Sequence, residues 1–114
     1  MSQLTELIEK AKKQEYRAME VFNAKGKDLV FKGVELVRLE NSQALPIDGL
    51  PLNGSIRIYM TDKNKFVLVD DRNLEVDGPM VLESKHNLSF GFYGYDRVAK
   101  ELYKQLGIDS YLYV

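Results

Sequence analysis

Residues 56–69 hold the pattern that most restricts what this chain can fold into. Ile56, Ile58 and Met60 alternate with Arg57, Tyr59 and Thr61, and after Asp62-Lys63-Asn64 comes the run Phe66-Val67-Leu68-Val69. Period-two alternation gives a strand one apolar and one more polar face. The second run is apolar on both faces, which places it centrally in a sheet. Asn64 tolerates a left-handed backbone, so a short hairpin loop can join the two strands. The chain must therefore supply further strands on either side and layers above and below.

Several segments can fill those places. Leu29 to Glu40 is rich in Val, Leu and Phe and reads as a strand whose alternation breaks at Gly33, where a bulge or tight bend would reset the phase. Met80 to Leu82 is a further short strand. Ser110 to Val114 reads as a closing strand, with Tyr111 and Tyr113 on one face and Leu112 and Val114 on the other. Residues 16–23 carry two patterns. Ala18, Met19 and Phe22 extend a helical stripe, while Tyr16, Ala18 and Phe22 lie on one side of a period-two pattern and Arg17, Met19 and Val21 on the other. The strand is preferred, because Ala24-Lys25-Gly26-Lys27-Asp28 supplies a turn before the next apolar run.

Two helices complete the order. Leu4, Leu7, Ile8 and Ala11 form one stripe of a helix from about Gln3 to Gln14, with Ser2 as its N-cap and lysines near its end. Val98, Ala99, Leu102, Tyr103 and Leu106 form the stripe of a second helix. Asp96 is placed to cap it, and Gly107 to end it in the left-handed conformation with Ile108 folding back on the last turn. Leu7 and Leu102 are expected in the core. The expected fold is α+β: a mainly antiparallel sheet of about five to six strands, with the N-terminal and C-terminal helices packed on one face.

Composition supports one globular domain over residues 1–114. Apolar residues make up 45% and charged residues 29%, and a chain of this length buries roughly two-thirds of its unfolded surface. There are 16 Lys and Arg against 17 Asp and Glu, a net charge of −1, which provides no overall electrostatic footprint for nucleic acid and leaves open only a local basic face. The absence of Cys removes disulfides, thiolate metal ligands and a cysteine nucleophile. No apolar run approaches the roughly 20 residues of a membrane span. The opening residues show no basic and apolar leader pattern, so the expected location is cytoplasmic.

Candidate chemistry is sparse. His86, the single histidine, sits in the polar stretch Glu83-Ser84-Lys85-His86-Asn87, read as a loop. A catalytic role would need an orienting partner that adjacency alone does not supply. Asp70 to Pro79 is an acidic turn, but a calcium loop counted from Asp71 would need Gly at its sixth place and Glu at its twelfth, where Val76 and Leu82 stand. No metal site or cofactor is expected. Asn41 to Gly54 holds Pro46, Pro51, Gly49 and Gly54, and its Leu45, Ile47, Leu50 and Leu52 suit either a binding lid or cover for a sheet edge.

The most unusual stretch is Leu88-Ser89-Phe90-Gly91-Phe92-Tyr93-Gly94-Tyr95-Asp96. Aromatics with glycines could stack nucleic-acid bases. Yet an RNA-recognition strand opens on Lys or Arg where Ser89 stands, and the βαββαβ order is missing. Asp96 would compete with any phosphate for the helix N-terminus. The simpler reading packs Phe90 and Phe92 inward and leaves Tyr93 and Tyr95 more exposed.

The residues singled out for a ligand or partner are therefore Tyr93, Tyr95, His86, Arg97, Tyr111 and Tyr113. The leading expectation is a non-enzymatic interaction domain that self-associates as a homodimer, with another protein partner also open. A module binding single-stranded nucleic acid or a small apolar ligand through residues 88–96 is the alternative. A small enzyme using carboxylates, tyrosines and His86 comes third.

Overall fold

The computed structural model describes residues 3–39, 54–71, 77–88, 92–94, 97–109 and 111–114. The elements run α1 (Gln3–Lys12), β1 (Arg17–Val21), β2 (Leu29–Leu39), β3 (Ile56–Thr61), β4 (Phe66–Asp70), β5 (Met80–Leu82), α2 (Lys85–Leu88) and α3 (Arg97–Leu106). The five strands form one antiparallel sheet in the order β1-β2-β3-β4-β5. Sequence neighbours are thus spatial neighbours throughout. The α+β reading holds, with five strands.

The hairpin at the centre is built by its own side chains. Asn64 takes the left-handed conformation at φ 62°. Its N–H donates to the Thr61 carbonyl at 3.0 Å, and the Thr61 N–H donates to the Lys65 carbonyl at 2.8 Å. The buried Thr61 hydroxyl accepts from the N–H groups of Lys63 and Lys65 as well. A turn followed by one left-handed residue is a standard short connection between antiparallel strands.

Alternation then sorts the strands into two faces. Ile56, Ile58, Met60, Phe66, Leu68 and Leu82 face the helices and meet Leu4, Ile8 and Ala11 of α1 and Val98, Leu102 and Leu106 of α3. On the opposite face Val21, Tyr59, Val67 and Val69 form a second buried cluster, with Met19, Leu29 and Phe31 against it. β4 is buried along its whole length. It lies between β3 and β5, so it is internal, while the middle position belongs to β3.

Residues 17–21 are strand and not a continuation of α1. The helix ends at Lys12, two residues short of the expected Gln14, and tightens through the bonds Lys13 N–H to Lys10 and Gln14 N–H to Ala11. Leu7 is only half-buried, because Leu4, Ile8 and Ala11 define the inner stripe. The phase break in β2 also differs from expectation. Gly33 stays in register between Arg17 and Thr61, and the irregularity lies between Glu35 and Val37. That bulge lets Leu36 and Val37, adjacent in sequence, both join the helix-side core. It also brings Glu35 and Arg38 together in an ion pair at 2.6 Å. Glycine at position 33 answers a different need: a Cβ there would stand 2.9 Å from the Phe31 ring and 3.0 Å from the Met60 carbonyl.

α3 ends as its sequence demands. Gly107 has φ 75°, its N–H donates to Lys104, and the Ile108 N–H reaches back to Tyr103 at 2.8 Å, the paired bonds of a Schellman cap. A Cβ on Gly107 would collide with Gln3, whose side-chain amide donates to the Gln105 carbonyl at 3.1 Å. The start of α1 and the end of α3 are thereby joined. The expected caps Ser2 and Asp96 lie outside the described residues.

The closing strand is not formed. Residues 111–114 have no strand partner and are exposed. Their alternating pattern needs a neighbouring edge, and the register leaves them off every ladder in the sheet. Among the described residues, no helix is long and apolar enough to cross a membrane.

Candidate interaction surface

Within the aromatic-glycine stretch, the described residues 92–94 are held from beneath by Tyr103. This residue lies on the inner face of α3 and is fully buried. Its hydroxyl accepts the Tyr93 N–H and donates to the Gly94 carbonyl, both at 2.7 Å. One phenol thus satisfies two main-chain groups of the turn. Phe92 meets the Tyr103 ring edge-on, with centroids 5.5 Å apart. The Tyr93 hydroxyl donates to the carboxylate of Asp70, itself buried at the end of β4. Phe92 and Tyr93 are both half-buried, so no contrast in exposure separates them. Phe90 and Tyr95 lie outside the described residues.

Next to Asp70, Asp71 turns the other way, as strand alternation requires. It accepts from Arg57 at 2.9 Å and from the Ser55 hydroxyl at 2.9 Å. Arg57 also donates to the Tyr59 hydroxyl. Arg57 is therefore committed between two partners on the outer face.

His86 is on a helical turn and not in a loop. Asn87 accepts from both the N–H and the hydroxyl of Ser84, which caps the start of α2, while Leu88 is buried as its anchor. His86 itself is exposed. Arg97 opens α3. Tyr111 and Tyr113 share the exposed 111–114 segment, which starts from a local turn in which Asp109 accepts the Tyr111 N–H at 2.9 Å. The Tyr113 phenol is hydrogen-bonded to the Asp109 carboxylate, and this bond, with the charge it carries, raises its pKa above the ordinary 10.0. The structure thus groups Tyr111 with Tyr113, and Tyr93 with Asp70 and Tyr103.

One surface feature went unmarked in the sequence. β2 has 11 residues and β3 has 6, so β2 runs past the hairpin turn. Leu29, Val30 and Phe31 pair with Val21, Glu20 and Met19 of β1, and the β3 register begins only at Gly33. An open pocket of about 500 Å³ occupies the step, lined among others by Val30, Phe31, Lys63, Val67 and Val81. The usable sequence signal was the unequal length of two neighbouring strands. A second pocket of about 430 Å³ involves Arg17, Glu35, Arg38 and Tyr59, where charges of both signs sit together. Neither pocket is lined by Asp70, Tyr93 or His86. Among the described residues no cluster of three or more His, Asp or Glu is placed to hold a metal ion.

The chain matches no protein-family model, and neither a curated protein nor a solved structure matches it.

Proposed function

We propose that this chain is a non-enzymatic interaction domain of the cytoplasm that works as a homodimer. The observation that carries this reading is the segment Tyr111-Leu112-Tyr113-Val114, uncharged and exposed at 79%, 87%, 79% and 115%. Isolated exposed apolar residues need no explanation, but a contiguous apolar patch on a soluble protein marks a contact surface. Tyrosines suit such a surface because they join a large apolar face to a polar tip. Twofold self-association is the commonest way to cover one.

Base stacking on residues 92–94 is the weaker reading. Phe92 and Tyr93 are half-buried, the Tyr93 hydroxyl is committed to Asp70, and a net charge of −1 offers phosphate no general attraction. Light scattering across a dilution series tests the leading reading. The wild-type mass is expected to fall from dimer to monomer on dilution, and Leu112→Lys to give monomer throughout. A wild-type chain that stays monomeric at high micromolar concentration would end the proposal.

A further inference from the structure

We propose that the exposed segment Tyr111–Val114 of one copy docks as an added strand in the step beside Leu29–Phe31 of a second copy. This rests on the self-association reading and names its site.

The step is an unpaired strand edge inside the sheet. The Lys32 carbonyl accepts the Asp62 N–H at 2.9 Å. Backbone groups along a strand point to alternate sides, so those of Val30, two residues back, face the same side as Lys32. Among the described residues no strand lies on that side past the turn, and the Val30 side chain is 78% exposed. The outer edge of β1 is a poorer acceptor, because exposed Arg17 and Glu20 lie on it and charges on an edge oppose pairing. β5 offers only three residues. Leu29-Val30-Phe31 has no charge, no proline and an open apolar pocket beside it.

The incoming segment matches in length, pattern and sign. Its four residues alternate tyrosine with aliphatic side chains, the form that suits a pleated edge with one face in a groove. Lys32 and Lys63 rim the pocket beside Asp62, while Lys65 is paired with Glu83 at 3.1 Å, and the segment is introduced by the exposed Asp109. Two tyrosines offer roughly 300–500 Å² per copy, so reciprocal docking with the matching groove surface reaches on the order of 1,200–2,000 Å², the size of a specific interface.

The absence of cysteine makes the contact directly testable. Val30→Cys and Leu112→Cys proteins, mixed under mild oxidation, are expected to form a covalent heterodimer in clear excess over the product of either alone. Val30→Pro removes the N–H offered to the incoming strand while leaving the β1 ladder intact, since that N–H faces the step. It is expected to weaken dimerisation at least about tenfold, the consequence of losing one main-chain hydrogen bond. A dimer that survives Val30→Pro and yields no mixed disulfide overturns the docking site and leaves self-association standing. A disulfide formed within one chain of the doubly substituted protein, Val30→Cys with Leu112→Cys, also overturns it. A wild type that stays monomeric removes both readings. The cysteine arm decides the matter should the proline variant fail to fold.

Discussion

β4 and the segment 111–114 carry the same kind of sequence and meet opposite fates. Phe66-Val67-Leu68-Val69 is apolar on both faces and buried throughout, between β3 and β5 with a cluster on either side. Tyr111-Leu112-Tyr113-Val114 is equally two-sided and entirely exposed. The difference lies in neighbours. β4 follows β3 through a tight hairpin that delivers its register locally. Residues 111–114 follow a helix whose capped end directs the chain away from any ladder. Two-sided apolar character thus states what a segment requires and leaves open who supplies it.

The sharpest test of this contrast removes a leucine from each. Leu68→Ala, at a site 2% exposed, is expected to cost about 2–5 kcal/mol in urea unfolding of the monomer. Leu112→Ala, at 87% exposed, is expected to change monomer stability by less than about 0.5 kcal/mol. A large loss at Leu112 under dilute conditions would place the segment in the fold of a single chain and break the comparison.

A milder version concerns two tyrosines. Tyr93 is fixed from two sides, through its backbone by Tyr103 and through its hydroxyl by Asp70, whereas Tyr113 is tied to nearby Asp109. Tyr103→Phe keeps the buried ring but strips the Tyr93 N–H and the Gly94 carbonyl of their partner. An expected loss of about 1–2 kcal/mol follows, readable by chemical denaturation. Retained stability would mean that the turn is held by its rings alone.

The smallest expected effect is a titration. The neutral Tyr113 phenol donates to Asp109, and ionising it would set two negative charges side by side. The contact is therefore complete below the ordinary pH 10.0 and is lost as pH rises through the raised value. Asp109→Asn should bring the last tyrosine ionisation back toward its ordinary position in a phenolate absorbance titration. An unchanged curve would separate Tyr113 from Asp109.

Local chemistry made much of this fold legible. Asn64 and the Gly107-Ile108 ending each specify their geometry within a few residues and form as read, while β3 alternates as read but buries Tyr59 and Thr61 of its more polar face as well. The bulge was misplaced because its cause is tertiary. Leu36 and Val37 are drawn to one side by the helices above them, while Gly33 is glycine because Phe31 folds over it. The pairing between Tyr103 and the 92–94 turn was hidden for the same reason, since a tyrosine on an apolar stripe reads first as packing. The step beside Val30 depends on where two strands stop relative to each other. No window of sequence around either strand contains that offset.

The contact between Gln3 and Gln105 has a consequence in time. The two residues stand 102 positions apart, so at roughly 5–20 residues per second the ribosome makes α1 about 5–20 s before the turn of α3 it caps. Through that interval Leu4, Ile8 and Ala11 lack the neighbours that α3 supplies, Val98, Leu102 and Leu106. The side of the α1 stripe that meets α3 stays uncovered through that interval. It becomes fully native only when α3 has emerged to close over it.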